Sequence, residues 1–596
     1  MCGIAGILTT NNRHENIADR LQRMQNSLQH RGPDDCGTYI STDHQAALAH
    51  TRLAILDLSP SGHQPMSISD GRYWITFNGE IYNFQELRSQ LVAQGEKFHS
   101  QTDTEVILKL YQRFGAECVK YLRGMFAFAI WDDCEKTCFL ARDPLGIKPL
   151  YFWHSGSTFV FASELKAVMA SQLPTASINH QGLYNYLISG SVPEPYTLID
   201  QVECLPAGNC LSWQAGKLMR SQYWQIDFTP EPVSPESAVE KVRSALTDSI
   251  KHHFISDVPV GVFLSGGIDS TAVVALARQT QSGSLQTYSI GFAESQWNEG
   301  EIAKRVAKHF DTEHTEYIIT AALGRNLFEK YVTSIDQPSV DGFNTFCVSH
   351  VARENGIKVA LSGLGGDELF GGYASFQKIP QMVTWGKRIK CFGVASHFVG
   401  KHLEHWGHST QVRRIGDFLQ QPVNSYTAYR SFRGIFSHQE ASAIATNYSQ
   451  SFISLPHFNP NRLPQLPTVA DEVSFLEISQ YMRNQLLRDS DVMSMASSLE
   501  LRVPLVDRVL LESVASIPSQ LRLATGKQLL VNAVSELPDW VVNRPKQGFT
   551  FPFQQWLTKD WSDLFDIQHY NNIPLTSWYR RWSLVMLQSW WERVIA

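Results

Sequence analysis

An antiparallel α+β half followed by a parallel α/β sheet with a helical C-terminal part is the fold class this sequence predicts. Three observations predict it. Up to about residue 210 the chain runs in short β-like segments broken by polar turns. After a stretch with three prolines between Gln225 and Pro235, the rhythm changes to strand, Gly-rich loop and helix, repeated. From about residue 375 it reads mainly helical, rich in Trp, Phe and Arg. A chain of 596 residues is too long for one hydrophobic core. The expected division is 2–210, a strap over 211–235, and 236–596 with its helical extension from about 375.

The elements follow in order. Tyr73 to Phe77, Met125 to Trp131 and Thr137 to Ala141 are expected strands, punctuated by turns such as Asp70-Gly71 and Asn78-Gly79. Thr104 to Phe114 has apolar residues at helical spacing and should cover that sheet. Asp103, just before it, could serve as its N-cap. In the second half, a helix over Ser237 to His252 leads into a buried strand, Val258 to Leu264. A Gly-rich loop and a helix over Thr271 to Ala277 come next, then strands at Thr287 to Phe292 and Ile357 to Leu361. Such a sheet binds ligands at the C-terminal ends of its strands.

Composition excludes several classes. With 51 Lys+Arg against 57 Asp+Glu the net charge is −6, and no basic block offers a nucleic-acid footprint. No apolar run approaches the roughly eighteen residues of a membrane span, and the first residues lack a secretory pattern. Nine cysteines without a pairing rhythm fit reduced thiols in a cytoplasmic protein. Cys134 with Cys138, or Cys204 with Cys210, lacks the spacing and second pair of a zinc site.

Chemistry begins at Cys2. Removal of Met1 would leave a cysteine carrying both a thiol and an α-amine, whose pKa near ~8 suits a proton shuttle. Downstream, in order, stand His30-Arg31-Gly32-Pro33-Asp34, Thr51-Arg52-Leu53-Ala54-Ile55, Asn78-Gly79-Glu80-Ile81-Tyr82-Asn83, Asp103 and Gly124-Met125-Phe126-Ala127-Phe128. Together with MCGIAGI these resemble the class II glutamine amidotransferase domain, an N-terminal nucleophile (Ntn) hydrolase fold. The resemblance implies that Cys2 attacks the glutamine amide, with the Asn78 side chain and the Gly79 N–H holding the oxyanion. It gives the glutamine carboxylate to Arg52 and its ammonium to Asp103, with Glu80 nearby; a fork and a carboxylate are what a zwitterion needs.

The second centre is Leu264-Ser265-Gly266-Gly267-Ile268-Asp269-Ser270, between an expected strand and helix, where backbone N–H groups and the helix dipole favour an anion. No Walker A pattern occurs in the chain. SGGIDS resembles instead the PP-loop of ATP pyrophosphatases, which leave AMP and pyrophosphate. Tyr288 to Phe292, Ser362-Gly363-Leu364-Gly365-Gly366-Asp367-Glu368, Ser494-Met495-Ala496, Glu500 to Pro504 and Arg544-Pro545-Lys546-Gln547-Gly548-Phe549 follow in the order of the asparagine synthetase family. That resemblance implies a PP-loop ATP pyrophosphatase domain and an amidotransferase using glutamine, ATP and a carboxylate acceptor. Ser265, Gly266, Gly267 and Ser270 would hold the departing pyrophosphate. Leu264, Ile290 and Gly363, beside Ser362, would line the nucleoside pocket. Asp269 and Asp367 would ligate Mg²⁺, and Lys546 would neutralise the phosphates.

The acceptor is left open between aspartate and another acid, such as a polysaccharide uronic acid or a natural-product precursor. Asparagine-making members carry Glu in the middle of the S-G-x-G loop, where this chain has Leu364. Their acceptor-binding arginine falls, by an ungapped count, near Ser339-Val340-Asp341. Ammonia passing between the two centres implies a tunnel, for which Met125, Phe126 and Val258 are candidate walls. A homodimer is a further expectation.

Overall fold

The computed structural model describes residues 2–10, 16–294, 299–391, 393–449, 464–545, 551–565 and 573–595. Residues 3–222 build two six-stranded antiparallel sheets that face each other. The first runs in the order 202–204, 151–155, 158–162, 3–9, 46–52, 35–40, with Gly3–Thr9 near its middle. The second runs 217–222, 209–214, 137–142, 124–132, 73–81, 66–68. Ile4, Leu8 and Leu48 of the first sheet meet Ala127, Trp131 and Trp213 of the second in an apolar sandwich core. The outer face of the second sheet is covered by helices Phe84–Ala93 and Asp103–Phe114 through Phe77, Phe128, Leu87 and Ile107.

The strands outrun the segments read from the sequence, reaching Tyr73–Ile81, Gly124–Asp132 and Thr137–Arg142. Register explains the gain. Tyr73 pairs with Asp132 and Ile81 with Gly124, so the Asn78-Gly79 turn signal lies inside a continuous ladder. Pairing across the sheet overrides a local turn propensity.

A five-stranded parallel sheet follows, in the order 313–319, 286–292, 260–263, 359–361, 500–502. Helices Pro235–His253 and Ile268–Thr280 pack on it through Leu246, Val273 and Leu276. The last, short strand, Glu500–Arg502, was not anticipated; its three residues are too few to show a period. The part after residue 375 is helical, and Val469–Leu476 runs into an eleven-residue π-helix, Glu477–Leu487, and then Arg488–Met495. π-turns are uncommon and concentrate at functional sites. No helix among the described residues is long and apolar enough to cross a membrane.

Candidate active site

Cys2 precedes the central strand of the first sheet and is 8% exposed. Its backbone N–H donates to Asn78 Oδ1 at 3.0 Å. That bond fixes the Asn78 amide, whose Nδ2 is buried without a hydrogen-bond partner among the described residues. A buried donor left unsatisfied is costly in a folded protein and is therefore a functional clue. At Gly79 a Cβ would collide with the Met125 carbonyl, so only glycine lets the two strands close here.

Cys2, Arg52, Gly79, Glu80 and Asp103 border one small pocket of about 30 Å³. Arg52 is anchored by carbonyl oxygens, donating to Ser59 O at 3.0 Å and to Asp57 O. Asp103 is the first residue of its helix and not its cap; Thr102 caps it by accepting from Glu105 N. The Asp103 carboxylate accepts the Ile81 N–H at 2.9 Å, and burial pushes its pKa up to about 6. Glu80 lies 3.6 Å from Arg502, and burial, then the nearby Glu500, raises its pKa. Burial also raises the Cys2 thiol, so a thiolate needs a base close by.

The second centre sits at the C-terminal end of strand Val260–Phe263. The loop turns at Gly266, where φ is +75° and a Cβ would come 2.8 Å from Ile302 Cγ2. Gly267 then caps the helix Ile268–Thr280. Ser270 Oγ accepts the Ser265 N–H at 3.2 Å and pairs with Ser265 Oγ at 3.0 Å, which closes the loop on itself. Leu264, Ser265, Gly267, Asp269, Ser270, Ile290, Ser362 and Gly363 border a cavity of about 260 Å³. Ser265, Gly267 and Asp269 also border a larger chamber of about 1170 Å³, which adds Gly266 and Asp367. Lys546 lies outside the described residues.

Asp269 and Asp367 converge on one cation that the sequence reading did not single out. Lys527 Nζ is 2.5 Å from Asp269 Oδ2 and pairs with Asp367 Oδ1 as well. Burial opposes its charge, but the two carboxylates hold its pKa above the usual lysine value. Glycines frame the pair: a Cβ at Gly366 would strike Asp269, and one at Gly372 would strike Asp367. Two carboxylates converging beside a phosphate-type loop fit a hard divalent cation, which takes one or two carboxylates and completes its shell with phosphate and water. No cluster of three or more His, Cys, Asp or Glu suited to a metal occurs among the described residues.

Between the centres, charged side chains tie the halves together. Arg31, fully buried, donates to Glu164 and to Asp491 at 2.8 Å each, and Lys148 meets Asp491 at 3.2 Å. The candidate tunnel walls separate. Met125 and Val258 pack in the cluster that joins Leu53 and Tyr82 to the parallel sheet. Phe126 packs away, in the layer under the outer helices. Successive strand residues face opposite sides, so adjacent Met125 and Phe126 cannot line one path.

A scan against family models matches residues 1–224 to a glutamine amidotransferase domain and residues 241–569 to asparagine synthase. The chain belongs to the asparagine synthase family. "Asparagine synthetase [glutamine-hydrolyzing] 1" of Bacillus subtilis is 34% identical over 94% of this chain and 89% of its own. "Putative asparagine synthetase [glutamine-hydrolyzing]" of Mycobacterium bovis is 32% identical over 91% and 85%. "Amidase chry2" of Gibberella zeae is 26% identical over 97% and 93%. The protein is an asparagine synthetase-type glutamine amidotransferase, a carbon–nitrogen ligase with glutamine as amido donor.

Proposed function

We propose that this amidotransferase hydrolyses glutamine at Cys2 and passes the ammonia to a carboxylic acid activated as its acyl adenylate, releasing AMP and pyrophosphate. The observation that carries the first half is the Cys2–Asn78 bond with Asn78 Nδ2 left over. With Met1 removed, the nitrogen now held by Asn78 is the α-amine, which takes the thiol proton as sulfur attacks the amide carbon. Asn78 Nδ2 and the Gly79 N–H then stabilise the oxyanion, a contribution of roughly 10²–10³ in rate per donor. Arg52 and Asp103, on the same pocket, take the carboxylate and ammonium of glutamine.

In the other half, the loop from Ser265 to Ser270 holds the departing pyrophosphate, and Leu264, Ile290 and Gly363 hold the nucleoside. Asp269 and Asp367 would hold Mg²⁺, which supplies charge neutralisation at the phosphates when bound. Lys527, already between those carboxylates, reaches the same charge and adds a compact ammonium.

Aspartate is the acceptor that the names of the relatives suggest. A different carboxylic acid is favoured by the chamber itself. Leu364 and Asp341 both border it, and the two cations that line it among the described residues are committed, Lys527 to Asp269 and Asp367, Arg544 to Glu299 at 2.9 Å. Pyrophosphate release measured across an acid panel separates the readings: dependence on aspartate alone supports the first, dependence on another acid the second. Cys2→Ala should abolish glutamine use and leave ammonium-dependent release intact; equal loss of both would refute the division of labour.

A further inference from the structure

Beside the nucleotide chamber lies a second cavity of about 190 Å³ that the reaction above does not use. Its wall combines Ser189 and Ser191 of the antiparallel half, helix Ser425–Arg433, and the π-helix. Val340, Tyr481 and Gln485 border both spaces, so the two adjoin there. Tyr481 and Gln485, four residues apart on the π-helix, form part of that shared wall.

Arg430 gives this cavity its chemistry. Among the described residues its guanidinium donates one side-chain hydrogen bond, to Tyr184 Oη at 3.3 Å, and its Nε is buried without a partner. No carboxylate among the described residues stands within ion-pair distance of it. Asp417 acts on its charge from beyond ion-pair distance, and accepts the His438 N–H at 3.3 Å while His438 pairs with Tyr184 at 2.5 Å. Its neighbour Arg433 differs. That side chain meets Glu477 at 2.9 Å and lies 4.3 and 4.0 Å from the Tyr373 and Tyr481 rings. A guanidinium cannot shed its charge, so an enclosed one without a carboxylate calls for an anion from outside the chain.

The large chamber makes the same demand from the other side. Because Lys527 and Arg544 are both paired with acids, a second anionic group on the acceptor finds no uncommitted cation there among the described residues. It finds one next door. We propose that the side cavity is a distal subsite for the acceptor, and that the acceptor is an extended acid bearing a second oxyanion. That oxyanion, a carboxylate or a phosphate or sulfate ester, sits remote from the carboxyl that is amidated and binds Arg430. Its linker runs past the Tyr481 ring. This rests on reading the ATP-dependent half as an acid-amidating site.

The full-length enzyme tests it, with ammonium as nitrogen donor and pyrophosphate release as the readout. The acids are α,ω-dicarboxylates from succinate to sebacate, the monocarboxylates of equal length, and a hexuronate against its 1-phosphate. The member of each pair with the distal anion should show about tenfold or greater advantage in kcat/KM, as a charge-assisted contact to a guanidinium gives. Arg430→Gln should bring that ratio close to one, and Arg430→Lys should retain part of it. Glutamine hydrolysis by the same preparations reports that each variant is folded. Equal rates within matched pairs for the unaltered enzyme, or a ratio that survives Arg430→Gln, overturns the subsite while leaving the amidation reading standing. Release with none of the acids overturns the amidation reading, and this proposal with it.

Discussion

Replacing Asn78 by Ala probes the glutaminase half most directly. The substitution removes two functions that the structure separates. Oδ1 accepts the Cys2 N–H at 3.0 Å, and Nδ2 is the buried donor with no partner among the described residues. Loss of the acceptor leaves a buried N–H unsatisfied, which costs about 1–3 kcal/mol of stability. Loss of the donor affects only the state in which the amide oxygen carries charge, which is worth about 2.7–4 kcal/mol, or roughly 10²–10³ in kcat. Glutamate release from glutamine should therefore fall by that factor in kcat, with KM changed far less, because Arg52 and Asp103 remain in the pocket. Asn78→Asp keeps the acceptor and replaces the donor by a negative oxygen, so its melting temperature should stay closer to that of the parent while kcat falls at least as far. A loss under tenfold in kcat for Asn78→Ala, with the melting temperature lowered, would mean that Asn78 only holds the Cys2 backbone, and the oxyanion assignment would be refuted.

Two further outcomes are expected. Lys527→Met leaves Asp269 and Asp367 facing each other without their shared cation; pyrophosphate release should drop by about 10² or more with glutamine hydrolysis preserved, and parallel loss of both would contradict the assignment. Asp336 accepts the Leu165 and Lys166 N–H groups at 2.7 and 2.9 Å, and burial, then Glu164, pushes its pKa up to about 6 from an ordinary 3.8. Because the folded form holds this proton more tightly than the unfolded one, its contribution is fully present below about pH 4 and is lost as pH rises through about 6; the difference is on the order of 3 kcal/mol. Asp336→Asn should flatten the thermal stability profile across that window, and an unchanged slope in calorimetry at several pH values would show that the carboxyl stays ionised.

What was legible in the sequence was what short stretches encode. Alternation and turn punctuation announced the strands of the first half, and the turn Ser265-Gly266-Gly267 between strand and helix announced an anion site, because both depend on neighbours within a few residues. Motif order likewise brought Cys2, Arg52, Asn78, Gly79, Glu80 and Asp103 together as one set, and the fold places five of them on one pocket with Asn78 bonded to Cys2. The helix Ser425–Arg433 was readable only as part of a helical region, and nothing in its composition marked Arg430.

Tertiary structure decided the rest, for a physical reason that repeats. Lys527 is 258 residues from Asp269, and Arg31 is 460 residues from Asp491, so no local pattern records either pairing. Whether a buried charge is neutralised or left waiting for a ligand depends on which distant carboxylates the fold delivers to it. For Lys527 the parallel sheet and the Gly-rich loops deliver two; for Arg430 the described helices deliver none within ion-pair distance. Even Met125 and Phe126, adjacent in sequence and both apolar, part company only when strand register turns one toward the second half and the other toward the outer helices. The chain's own order of residues specified the chemistry of its two centres; the packing of segments hundreds of residues apart specified which charges each centre keeps for its substrates.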